Sequence, residues 1–184
     1  DIQCDAKIDA TAFIDNPFGL AITRYAGELL PARSGAYTRH IHALITQAQY
    51  SGNEGRSALY TLTLRPWTWL MSQTRNYRIH QNQTAVQTIR QVLEAYGYPF
   101  EFHLERNYPS LDYQVQYGES DYDFMARLTQ EHGINLHYRH DEHGHRLILS
   151  DSMAIHSAQP SPAYQTLYTY PPQLKLQEEY LHTV

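Results

Sequence analysis

The sequence predicts an α+β protein: a β-barrel-like domain over 1–70, a two-helix α+β domain over 71–152, and an extended connection over 153–184. Three observations lead to this reading. Residues 37–65 alternate apolar and polar side chains on either side of a glycine-rich turn, the pattern of a hairpin with one buried face. Residues 77–138 carry one order of features twice. Tyr77 is matched by Tyr113, Ile79 by Val115, Thr84 by Ser120, Val92 by Leu128, Gly97 by Gly133 and Phe102 by Tyr138, always 36 positions on. Beyond Asp151, Pro160, Pro162, Pro171 and Pro172 punctuate a polar stretch that reads as extended chain.

Element by element, Ala6–Ile14 alternates in part and reads as a strand, closed by the turn cluster Asp15-Asn16-Pro17. A strand follows over Tyr37–Tyr50, with His40, His42, Leu44 and Thr46 on one face and Ile41, Ala43 and Ile45 on the other. Ser51–Gly55 is the turn, Leu59–Arg65 the returning strand, and Pro66 its end. Trp67 and Trp69 then share one face if the chain stays extended. The first helix is predicted over Ala85–Tyr96: Thr84 and Gln87 have capping-box spacing, and Gly97 with Pro99 stops it. The second is predicted over Asp121–His132, capped by Ser120 and Asp123 and ended by Gly133. Val86, Ile89, Leu93, Phe124, Met125 and Leu128 form the expected core faces. Strands are expected at Phe100–Leu104, Tyr113–Tyr117, Ile134–His140 and Arg146–Leu149, with a turn at Asp141–Gly144. Each half is therefore a pseudo-repeated strand-helix-strand unit, with right-handed crossovers wherever its flanking strands are parallel.

Composition narrows the function classes. Hydrophobic residues make up 42%, which excludes wholesale disorder. Fourteen Lys and Arg against nineteen Asp and Glu leave a charge of −5 with no basic run, so no phosphate-neutralising surface for nucleic acid is visible. The single cysteine, Cys4, permits no internal disulfide and no cysteine-rich metal site. No apolar run approaches the ~20 residues of a membrane-spanning helix, and no signal peptide opens the chain. The first residue is not Met, so the chain reads as a piece of a longer protein. Sixteen tyrosines against five phenylalanines fit either half-buried strands or an interface.

Four constellations hold residue types that could carry chemistry. His137, His140, His143 and His145, with Asp141 and Glu142, form the most metal-like group. However, His137 and His140 point to opposite faces of a strand, the rest lie in a hydrophilic turn, and no H-E-x-x-H spacing is present. Substituting His140 or His143 is thus expected to leave the fold unchanged, and no stoichiometric metal is expected. Glu119, Asp121 and Asp123 resemble an acid/base group, but acids at a helix start cap amides and offset the dipole. Cys4 lacks a local nucleophile signature. Trp67 and Trp69 offer a stacking platform for sugars or bases, or a packing pair at a domain junction. No catalytic, cofactor-binding or metal residue is assigned, no cofactor is expected, and the chain does not read as an enzyme.

The motifs carry a resemblance. Tyr60-Thr61-Leu62-Thr63-Leu64-Arg65-Pro66-Trp67-Thr68-Trp69-Leu70, then Tyr77–Thr84, then Tyr113–Phe124 with Arg127-Leu128 and Glu131–Ile134, and finally His145–Ser152 are similar to the VgrG proteins of type VI secretion systems. The N-terminal part of those proteins resembles the baseplate hub of contractile phage tails. The resemblance implies a structural hub and spike base of a contractile injection apparatus, with no catalysis in this part. It implies a homotrimer with two similar barrels per protomer, giving a pseudo-sixfold ring that meets a hexameric tail-tube protein. A C-terminal spike of the same chain would follow, beyond a second barrel starting near Glu178–Val184. Assembly in the bacterial cytoplasm, then secretion or injection at the tip of the apparatus, is implied as well, without nucleic acid or stable membrane insertion. The hub of a contractile phage or phage-derived tail remains the alternative. A carbohydrate-binding module using Trp67 and Trp69, and a small metalloenzyme centred on His137–His145, are rivals from other classes.

Overall fold

The alternating run near Tyr37 becomes a 19-residue strand that organises the first half of the molecule. The computed structural model describes residues 2–5, 7–25 and 36–156. Strands β1 (Ile2–Cys4), β2 (Pro17–Tyr25), β3 (Ala36–Glu54) and β4 (Ser57–Arg65) form one antiparallel sheet in the order β1-β4-β3-β2. The β3–β4 hairpin is the one expected, but β3 runs on through Ser51–Glu54 and turns only at Gly55 and Arg56. Register shifts at Ile45/Gln47 and Tyr50/Gly52 absorb the extra residues as bulges, which bend and twist the strand. Strand β2 lies outside the strands expected from sequence; its leading proline is tolerated because it opens an edge strand.

Two expectations change here. Among the described residues the barrel is an open sheet, because β1 and β2 are its edges and do not bond to each other. The strand expected over Ala6–Ile14 is instead a 3-10 turn at Ala10–Phe13. Asp9 decides this: its carboxylate accepts the Thr11 N–H at 3.0 Å, a local bond that competes with pairing into the sheet. The turn region covers Tyr60, whose hydroxyl donates to the Ile8 carbonyl and accepts from the Ile8 N–H, both at 2.6 Å, with the Phe13 ring 5.2 Å away.

The second half comprises β5 (Arg75–Thr84), α1 (Ala85–Glu94), β6 (Phe100–His103), β7 (Ser110–Ser120), α2 (Asp121–Glu131), β8 (Asn135–His140) and β9 (His145–Ser150). Both predicted caps form. Thr84 Oγ1 accepts the Gln87 N–H at 3.1 Å while Gln87 Oε1 accepts the Thr84 N–H at 2.8 Å, and Ser120 Oγ accepts the Asp123 N–H at 3.0 Å. Gly97 and Gly133 end the helices with positive φ. Strands β5 and β7 pair antiparallel as a two-stranded ribbon, while β9 lies between β6, which is parallel to it, and β8, which is antiparallel. The strands flanking each helix therefore sit in different sheets, and the condition for a right-handed crossover does not arise.

Ile89, Val92 and Leu93 of α1 meet Phe124, Met125 and Leu128 of α2 in the main core, with Leu147 and Leu149 from β9. Val86, expected in this core, is only partly buried at its margin. Leu44 of β3 joins the same core, so the first sheet and the helices share apolar packing. Trp67 joins it too, because Pro66 leads into a 3-10 helix over Trp67–Gln73 instead of extended chain. The expected connection over 153–184 begins with a short turn at Met153–Ile155, and from 157 on it lies outside the described residues.

Candidate functional site

The β5–β7 ribbon is inverted. Alternation sets Arg78, His80, Gln114 and Gln116 toward α2 and leaves Tyr77, Ile79, Tyr113 and Tyr117 on the opposite face. The inward set is polar: Gln116 is fully buried and donates to Asp121 Oδ1 at 2.7 Å, and His80 stacks on Phe124 at 5.7 Å. The outward set is large and apolar, with Tyr77 73% exposed, Ile79 66%, Tyr113 68% and Tyr117 80%. Tyr77 and Tyr117 meet edge to face at 5.2 Å across the ribbon. Gly118 sits beside them at φ 67 by the Asn76/Tyr77 register shift, and a Cβ there would lie 2.9 Å from the Tyr77 hydroxyl. Exposed apolar surface of this kind is characteristic of interaction sites.

The four histidines do not gather. His143 is exposed in the β8–β9 turn, 3.1 Å from Glu142. His137 lies elsewhere, its ring 4.6 Å from His156, and burial holds its pKa below the ordinary range. His140 and His145 do stack, at 5.5 Å, but against His42 of β3. The His42 N–H donates to His140 Nδ1 at 3.0 Å, and the Trp67 N–H donates to His145 Nε2 at 3.3 Å. His140 is thus not a solvated-turn residue, because β3 packs over it, and a neutral substitution remains the expectation for His143 alone. Asp141 shapes the turn by accepting the His143 and Gly144 N–H groups at 2.9 and 3.1 Å, which lowers its pKa. Among the described residues no set of three or more His, Cys, Asp or Glu has a metal-holding arrangement.

The acidic group is tied up structurally. Asp121 is buried, which raises its pKa, but hydrogen bonds from Gln116, Asn76 and Tyr96 outweigh that and hold it down. Asp123 accepts from the Ser120 hydroxyl at 2.7 Å, and Glu119 pairs with Arg127 at 2.6 Å. Cys4 is a partly buried free thiol. The tryptophans form no platform: Trp67 is wholly buried and stacks on Tyr98 at 5.2 Å and 8°, while Trp69 is partly buried beside the Arg65 guanidinium at 5.3 Å. Trp67 packs in the core shared by the first sheet and the helices, without Trp69 as a packing partner there. Sequence reasoning missed the exposed ribbon, although Tyr77/Ile79 and Tyr113/Tyr117 each show the period-two signal.

Residues 2–184 match the family described as phage tail baseplate hub (GPD). Among curated proteins, the type VI secretion system spike protein VgrG1b of Pseudomonas aeruginosa is 38% identical over 141 residues, 76% of this chain and 19% of that protein. The spike protein VgrG1c of the same organism is 37% identical over 175 residues, 94% of this chain and 22% of that protein. The chain spans about a fifth of the length of these relatives. A solved structure of the E. coli c3393 protein, described as a component of the type VI secretion system similar to the T4 bacteriophage tail proteins gp27 and gp5, superposes with a TM-score of 0.62 at 25% identity. It covers 78% of this chain and 45% of that one. With all but its first residue inside the match, the chain belongs to the phage tail baseplate hub family.

Proposed function

We propose that this chain is the hub portion of a type VI secretion spike protein, a structural part that links the tail tube to a membrane-piercing spike and performs no catalysis itself. The observation that carries the reading is the inverted ribbon, an apolar face directed outward on a chain whose relatives are hub and spike proteins. The surface suits permanent assembly and offers no convergent catalytic groups. In this reading the chain divides at about 70 and 152 into a barrel-wall domain, an α+β domain built from one strand-helix-strand unit used twice, and a connection into a second barrel. The longer parent is a homotrimer in which the open first sheet is completed as a barrel, and it meets the hexameric tail-tube protein on one side and its own spike on the other. The ribbon face is covered by a second copy of the parent. Assembly takes place in the bacterial cytoplasm, and the complex leaves at the tip of the apparatus. The phage-tail hub is the second reading, favoured by the family description alone; the identity to the spike proteins ranks it second.

Two measurements test this. Deleting the parent gene should abolish release of the tail-tube protein into the medium, and unchanged release would overturn the hub role. Tyrosine nitration should modify Tyr77, Tyr113 and Tyr117 readily in the isolated chain and be blocked in the assembled parent. Equal modification of both would show that the ribbon is not an assembly surface.

A further inference from the structure

The seam between the first sheet and the β8–β9 hairpin is held by histidines acting as acceptors. Two backbone donors, His42 N–H and Trp67 N–H, are satisfied by His140 Nδ1 and His145 Nε2. A ring nitrogen accepts only when it carries no proton, so both rings must be neutral, with the remaining hydrogen on the other nitrogen. His42 returns a bond from Nε2 to the Asp141 carbonyl at 2.8 Å, where it is necessarily the donor. We propose that this seam is a proton-operated latch, closed while His140 and His145 are neutral and opened when they take up protons. It acts within this chain whatever assembly the chain serves.

The surroundings set the direction. From β3, Arg39 and His42 act on His140, and His40 stacks on His42 at 6.3 Å. From the turn after β8, Asp141 favours charge on His140, but its carboxylate already accepts two turn amides and lies 3.3 Å from Arg146. Tyr138 lies 5.8 Å from the His145 ring, and the Trp67–Gln73 helix brings an amide and no ionisable side chain. Protonating both rings would abolish two acceptors and place two cations 5.5 Å apart in a stack. Burial first, then His140 and His42, hold His145 down to about 4, and burial first lowers His140 as well. An opened ring regains the ordinary histidine value near 6.5, so the open state binds protons that the closed state refuses. The latch therefore weakens as pH falls from about 6.5 toward about 4.

Residue-resolved amide hydrogen exchange by NMR on the 184-residue chain tests this. After correction for intrinsic exchange, protection of the Trp67 amide should fall roughly thirtyfold from about pH 7.5 to about pH 5, and protection of the His42 amide should fall with it. The Ile89 and Leu128 amides in the helical core should hold theirs. The double variant His140→Asn/His145→Gln supplies carbonyl acceptors that do not titrate, and it should keep protection at both pH values. Constant protection in the natural chain, a parallel loss at Ile89 and Leu128, or the same fall in the double variant would overturn the latch. If that variant does not fold, the imidazole resonances of the natural chain decide: titration of His140 and His145 below the ordinary histidine range supports the latch, and titration at or above it overturns it.

Discussion

Asp151 shows how much one side chain can organise. Its carboxylate, out of contact with solvent, accepts the Glu105 and Arg106 N–H groups at 2.9 Å each and the Tyr108 hydroxyl at 2.8 Å, tying the loop after β6 to the end of β9. Burial alone would raise its pKa, yet these donors bring it down to about 2. The stability it contributes is complete above the ordinary carboxylate value of 3.8 and is lost as pH falls toward 2. Asp151→Asn should lower the melting temperature at neutral pH and flatten the acid limb of the melting-temperature profile between these values. An unchanged acid limb, read by thermal melts across pH, would assign that limb to other carboxylates. Leu128 makes the complementary apolar case. Fully enclosed between the helices, its truncation to alanine should cost about 2–5 kcal/mol in urea unfolding.

At the scale of the element, the two helix starts can be compared directly. Thr84 completes a reciprocal capping box, whereas Ser120 accepts one amide and spends its own proton on Asp123. Ser120→Ala and Thr84→Ala should each destabilise by about 1 kcal/mol, measured by chemical denaturation. A Ser120→Ala variant that kept its stability while losing a measurable activity would return the acidic group at α2 to functional standing. The ribbon is the element whose composition and exposure disagree, with buried Gln114 and Gln116 on one face and tyrosines in solvent on the other. Local energetics do not favour that arrangement, which is why the ribbon carries the proposal of an assembly surface.

For the whole molecule, the prediction concerns association. Obligate interfaces bury about 2,000–5,000 Å² and are strongly apolar. The chain spans about a fifth of its spike-protein relatives, so most of such an interface would lie in the rest of a parent. The isolated chain should be monomeric or weakly associating at micromolar concentration, and the parent trimeric, in analytical ultracentrifugation of both. A concentration-independent trimer of the isolated chain would place the trimer contacts within these residues.

Local chemistry was legible without any fold. The capping hydroxyls, the glycines ending the helices, the β3–β4 hairpin and the apolar stripes of α1 and α2 each depend on a few neighbouring residues, so the order of amino acids alone determined them. The motifs over 60–70 and 113–134 likewise sufficed to point to the family. Tertiary structure decided which way faces look and what meets across distance. Bulges at Ile45 and Tyr50 shift the parity of β3, which no count of alternating residues anticipates. The 3-10 turn after Pro66 drives Trp67 into the core, where Tyr98 stacks on it from 31 positions along the chain. His42 and His140 are 98 positions apart and meet only because β3 crosses the β8–β9 hairpin. Side-chain spacing encodes the conformation of a segment, whereas burial and protonation depend on what packs against it, and packing belongs to the folded chain as a whole.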